Sequence, residues 1–116
     1  MIRRVVIESM IRRVVIESPF AGEVEANIKY ARACLRDSLH RGEYPIASHL
    51  LYTQPGVLDD DVPEERALGI EAGLSWGELA DETVVYVDRG ISPGMQGGID
   101  RALAAGRSVQ FRNIRP

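Results

Sequence analysis

At 116 residues and a formal charge of −3, the chain suits one domain near the lower size limit for a three-layer α/β core, which favours burying further surface in an oligomer. The only like-charge run is Asp59-Asp60-Asp61 and there is no basic stripe, which excludes a nucleic-acid polymer as the expected partner. One cysteine, Cys34, excludes an internal disulfide, and no apolar stretch approaches a membrane span or signal-peptide core; the expectation is a cytoplasmic protein with no membrane partner.

The segment from Met1 to Ser9 is repeated letter for letter from Met10 to Ser18. A repeat this short is not a solenoid unit. Only the second copy runs into Pro19-Phe20-Ala21-Gly22, so residues 1–9 read as a spare duplicated segment and 10–116 as a single domain. Arg13-Val14-Val15-Ile16-Glu17 is a β-branched run ended by Ser18-Pro19, the pattern of a buried parallel strand. Val24, Ile28, Ala31, Leu35 and Leu39 then recur at helical spacing, predicting a helix over about 22–41, with Cys34 on its flank as a small buried filler. Tyr44-Pro45-Ile46-Ala47-Ser48 reads as a second short strand, its Pro45 suiting a strand start or an edge.

The polar connection from His49 to Val62 is long for a compact domain, which marks it as functional or mobile. Two of its acids can hold Mg²⁺ beside a phosphate, but they lack any fixed metal spacing, so no metal site is expected; a solvated helix entry is the simpler reading. Pro63-Glu64-Glu65 opens a helix running to about Ala80 through Ala67, Ile70 and Leu74. Its Gly69, Gly73 and Gly77 leave a flat stripe for close approach of another element. Ile70 and Leu74 are expected in the core, and Trp76 toward a partner subunit. Residues Thr83 to Val87 predict the third strand, Ile99 to Ala105 a short helix, and Ser108 to Phe111 a last strand.

The order β-α-β-α-β-α-β predicts a three-layer, flavodoxin- or Rossmann-like parallel sheet of four to five strands with helices on both faces. Ligands in such sheets bind beyond the carboxyl ends of the strands, where the strand order reverses. That rule brings Ser18, Phe20 and Gly22 beside the segment from Asp88 to Gly98. The glycine-rich run Ser92-Pro93-Gly94-Met95-Gln96-Gly97-Gly98, between a strand and a helix, reads as an anion-holding turn. Ser92 suits both helix capping and phosphate contact.

Ser18-Pro19-Phe20-Ala21-Gly22, His49-Leu50-Leu51-Tyr52, Leu58-Asp59-Asp60 with Pro63-Glu64-Glu65-Arg66, Asp81 and Ser92-Pro93-Gly94-Met95, in this order and spacing, resemble the nucleoside 2-deoxyribosyltransferase superfamily, in particular its small bacterial and phage members. The resemblance spans Ile11 to Phe111. It implies a cytoplasmic homodimer or higher homo-oligomer that acts, without a cofactor, on the N-glycosidic bond of a nucleoside, a nucleoside monophosphate or a related small molecule. It also implies ligand contacts from Ser18, Phe20, Gly22, Ser92, Gly94 and Met95, with His49 a further candidate, and a proton-transfer role for Asp81; Asp88 is a ligand-contact candidate on its own position, because strand ends deliver site residues in this architecture. In the superfamily a Glu on the helix after the serine turn attacks the anomeric carbon, and that position here is Gly98. Asp100 is a poor substitute, because two helical positions turn a side chain by about 200°. The expectation is therefore an impaired N-glycosidase or deoxyribosyltransferase-like protein, with a non-catalytic nucleotide-binding protein of the same fold as the alternative. Without the resemblance, Asp81 reads as an exposed turn acid, His49 as an ordinary loop residue, and Tyr52 as core or interface.

Overall fold

In the computed structural model, which describes residues 12–116, alternation along the first strand organises the whole molecule. Strand β1, Arg12–Glu17, turns Val14 and Ile16 to one face, where both are fully buried, and Val15 and Glu17 to the other. Helix α1, Val24–His40, follows and covers the first face. Val14, Ile16 and Cys34 pack there with Val84 and Tyr86, with Tyr30 and Leu35 against them. The buried side of α1 is Asn27, Ala31, Cys34, Asp37 and Ser38, so the apolar stripe is rotated from the expected one and Leu39 is left exposed. Polar partners explain the shift. Asn27 donates to the carbonyls of Phe20 and Ala21, Ser38 donates to Glu43, and Asp37 accepts from Tyr86 and Arg41.

Strand β2, Glu43–Ile46, pairs with β1 and leads through the single-turn helix α2, Ser48–Leu51, into the long connection. Helix α3, Pro63–Gly77, then crosses to the other face and delivers β3, Glu82–Tyr86, to the far side of β1. Helix α4, Pro93–Ala104, and strand β4, Ser108–Arg112, complete the chain. The sheet is four-stranded and parallel in the order β2-β1-β3-β4, so the order reverses between β1 and β3, as expected for this α/β class.

Two expectations change, and the close approach expected at the glycine stripe is met. Helix α4 begins six residues before the expected start, so the glycine-rich run is helix rather than turn. Pro93 takes the first position and Ser92 caps it, its hydroxyl accepting from the Met95 N–H at 3.3 Å. The glycine stripe of α3 packs against its own chain: a Cβ on Gly73 would stand 2.5 Å from Ser48 Oγ, while Gly69 faces Tyr52 and Leu58, and Gly77 faces Val15 and Arg107. Ile70 and Leu74, expected in the core, are part-exposed and border an open groove instead. A buried polar cluster ties both edges of the sheet: Arg112 grips Glu43 with two hydrogen bonds of 2.7 and 2.8 Å and lies over the Tyr86 ring. The duplicated segment 1–9, and with it the domain start at Met10, falls outside the described residues.

Candidate active site

Beside the contact of Gly77 with Val15, a cavity of about 540 Å³ opens between α3 and α4, over the carboxyl end of β1. Its floor is Val15 and Glu17. Apolar and aromatic side chains, Phe20, Tyr52, Ile70 and Leu74, line it together with charged ones: Glu17, Arg101 and Arg107, and the ion pair of Arg66 with Asp60 beside Glu65. The Arg107 guanidinium is held in place, donating to Thr83 Oγ1 at 2.9 Å and to the Gly77 carbonyl at 2.8 Å.

Most expected site residues meet here. Ser18, Phe20, His49, Ser92, Gly94, Met95 and Gly98 all border the cavity. Ser18 Oγ and His49 Nε2 are 2.7 Å apart, and burial pushes the imidazole pKa down to about 4, so the ring is neutral at pH 7. Tyr52 borders the cavity as well, rather than serving only as core.

Others are placed elsewhere. Gly22, with φ +98°, shapes the entry to α1 and borders only a second, more open depression of about 750 Å³ beside Asp59 and Asp61. Asp81 stands at the amino end of β3, the edge opposite the switch point. There its carboxylate accepts from the Arg13 N–H at 2.8 Å, and its own N–H donates to the Arg13 carbonyl. In a parallel sheet that edge carries strand starts, so Asp81 closes the end of the β1–β3 pair and does not reach the cavity. Asp88 follows the right strand end but turns to the α1 face, accepting from Tyr30 Oη at 2.6 Å and from the Ile114 N–H. The anion turn also loses donors: Pro93 has no N–H, while the N–H groups of Met95 and Gln96 donate to the Ser92 hydroxyl and carbonyl. Asp100 is exposed and accepts from the Gln96 amide, as helical geometry predicts.

The residue that sequence reasoning passed over is Glu17. Its carboxyl lies directly above Gly98: a Cβ built on that glycine would collide with it, and even the farther oxygen, Oε1, would be 2.7 Å away. Burial lifts the Glu17 pKa from 4.5 to about 7, against the pull of Arg101 and then Arg107. Among the described residues no donor is hydrogen-bonded to this carboxyl. The available signal was its position, an acid on the last residue of a strand that ends at the switch point.

The chain belongs to the family described as a domain of unknown function, DUF7768, which it matches over residues 12–112. No curated protein matches it significantly. Among solved structures it is similar to a 2-deoxyribosyltransferase from the psychrotolerant bacterium Bacillus psychrosaccharolyticus. The identity is 21% and the TM-score 0.60, over 85% of this chain and 70% of that one, a likeness that establishes a shared fold. Among the described residues no helix is long and apolar enough to cross a membrane.

Proposed function

We propose that the chain takes a nucleoside or nucleoside 5′-monophosphate into the cavity between α3 and α4 and acts on its N-glycosidic bond. The observation that carries this reading is one cavity lined both by apolar and aromatic side chains and by arginines. Phe20, Tyr52, Ile70 and Leu74 offer a base its flat apolar contact, while Arg101 and Arg107 offer two cations to the anionic end of a nucleotide. The fold shared with a 2-deoxyribosyltransferase supports the same reading, and no cofactor is required by it.

Gly98 favours a second reading, in which the same cavity binds a nucleotide without cleaving it, because the helix position expected to attack carries no side chain. Calorimetry and chromatography separate the two. Catalysis predicts saturable binding of at least one member of a panel of ribo- and deoxyribonucleosides and their 5′-monophosphates, together with release of free base from it. Binding without release supports the second reading, and the absence of both removes the ligand class.

A further inference from the structure

Resting on the reading above, we infer that Glu17 is the nucleophile of this site: a carboxylate supplied from the end of strand β1 in place of one carried on helix α4. Three observations converge on it. The carboxyl stands in the space that a side chain at position 98 would fill, so the glycine and the acid fit one another as a pair. It forms the floor of the cavity, on the strand end where the strand order reverses. Its charged neighbours are Arg101 on α4 and Arg107 just before β4, which favour the ionised form that attack requires.

A buried acid kept only for structure is normally satisfied by hydrogen bonds, as Glu43 is by Arg112 and Ser38. Glu17 differs, having charged neighbours and a cavity rather than a donor among the described residues. The other carboxylates expected at the site are engaged elsewhere, Asp81 with Arg13 and Asp88 with Tyr30 and Ile114.

The chemistry balances with water as the only co-reactant. A Glu17 oxygen forms a bond to the anomeric carbon as the bond from that carbon to the base nitrogen breaks. The base leaves with the bonding pair and takes a proton from water. The hydroxide so formed attacks the anomeric carbon of the glycosyl ester, releasing the sugar and restoring the carboxylate. A second base in place of hydroxide makes the same sequence a transfer.

The test uses the full chain and the panel of nucleosides and 5′-monophosphates. Glu17→Gln keeps the size and burial of the side chain, and it is expected to lower base release at least about 100-fold while ligand affinity changes less than about threefold. Gly98→Ala leaves Glu17 in the chain but displaces its carboxyl, and it is expected to cost about tenfold or more in turnover with the fold intact by circular dichroism. Incubating the unmodified protein with a 2-deoxy-2-fluoro nucleoside is expected to leave one fluorosugar on the protein, placed on Glu17 by peptide mass spectrometry. Turnover by Glu17→Gln within threefold of the unmodified protein, or an adduct on another carboxylate, overturns the assignment and leaves the proposed function standing. If the unmodified protein releases no base from any panel member, the proposed function itself fails.

Discussion

Replacing Glu17 by glutamine should stabilise the protein at alkaline pH and have little effect in acid. Burial raises the carboxyl pKa from 4.5 to about 7, so the folded chain holds a proton there that the unfolded chain has released. A group whose folded pKa is raised contributes stability that is fully present below pH 4.5 and is lost as pH rises through about 7. At about 1.36 kcal/mol per pKa unit, linkage puts the ceiling of that loss near 3 kcal/mol. Water in the open cavity screens part of it, so about 1–3 kcal/mol is expected. Glutamine does not titrate. Urea unfolding of both proteins at pH 4.5 and pH 8.5 should show Glu17→Gln nearly matched to the unmodified chain in acid and more stable in alkali. A Tm gain of several degrees at pH 8.5 should accompany it. A stability difference independent of pH, or a Glu17→Gln variant that is weaker at pH 8.5, would refute the argument that this carboxyl is buried at a cost. Stability gained by removing an ionisable group from a cavity is a common mark of a functional position.

Burial holds the His49 pKa near 4, below its ordinary 6.5, so its contribution is present above pH 6.5 and lost as pH falls through about 4. Nitrogen NMR should find the ring neutral at pH 6, and His49→Gln should flatten the acid limb of the stability profile. Arg112→Met leaves Glu43 buried without its partner and should cost about 3–5 kcal/mol in urea unfolding, with much of that recovered when Glu43→Leu is added. Gly73→Ala forces a Cβ against Ser48 and should cost about 1–3 kcal/mol, relieved by Ser48→Gly. Trp76 is 54% exposed on α3 beside Leu79, also exposed, so Trp76→Asp should shift an oligomer toward monomer in light scattering; a monomeric unmodified protein at micromolar concentration would contradict the expected assembly.

The architecture was legible because the buried strands announce themselves: Val14-Val15-Ile16 and Val84-Val85-Tyr86 are apolar on both faces, and each is followed by a helical period. The start of α4 was not. Gly94, Gly97 and Gly98 have poor helix propensity, and the signal that outweighed them was the Ser92-Pro93 cap, which starts the helix at its first turn. The phase of α1 was hidden because Asn27, Asp37 and Ser38 are buried through hydrogen bonds that hydrophobic periodicity does not register.

The site was legible at the level of loops but not of carboxylates. Ser18, Phe20, His49, Ser92 and Gly98 do converge, since the switch-point rule depends only on strand order. Asp81 precedes a strand of a parallel sheet and so lies at the edge opposite the switch point, whereas Asp88 needed knowledge of which face its side chain takes, which a single residue of strand alternation decides. Glu17 was overlooked because an acid at a strand end resembles an ordinary solvated terminus until the glycine above it is seen to leave it room.

The stereochemistry of the reaction tests the account most directly. Attack by Glu17 followed by attack of water on the glycosyl ester inverts the anomeric carbon twice, so configuration is retained overall. With methanol included as a competing acceptor, proton NMR of the first-formed methyl glycoside should show the β anomer from a β-nucleoside. The α anomer, or an equal mixture of the two, would contradict a covalent carboxylate intermediate at Glu17.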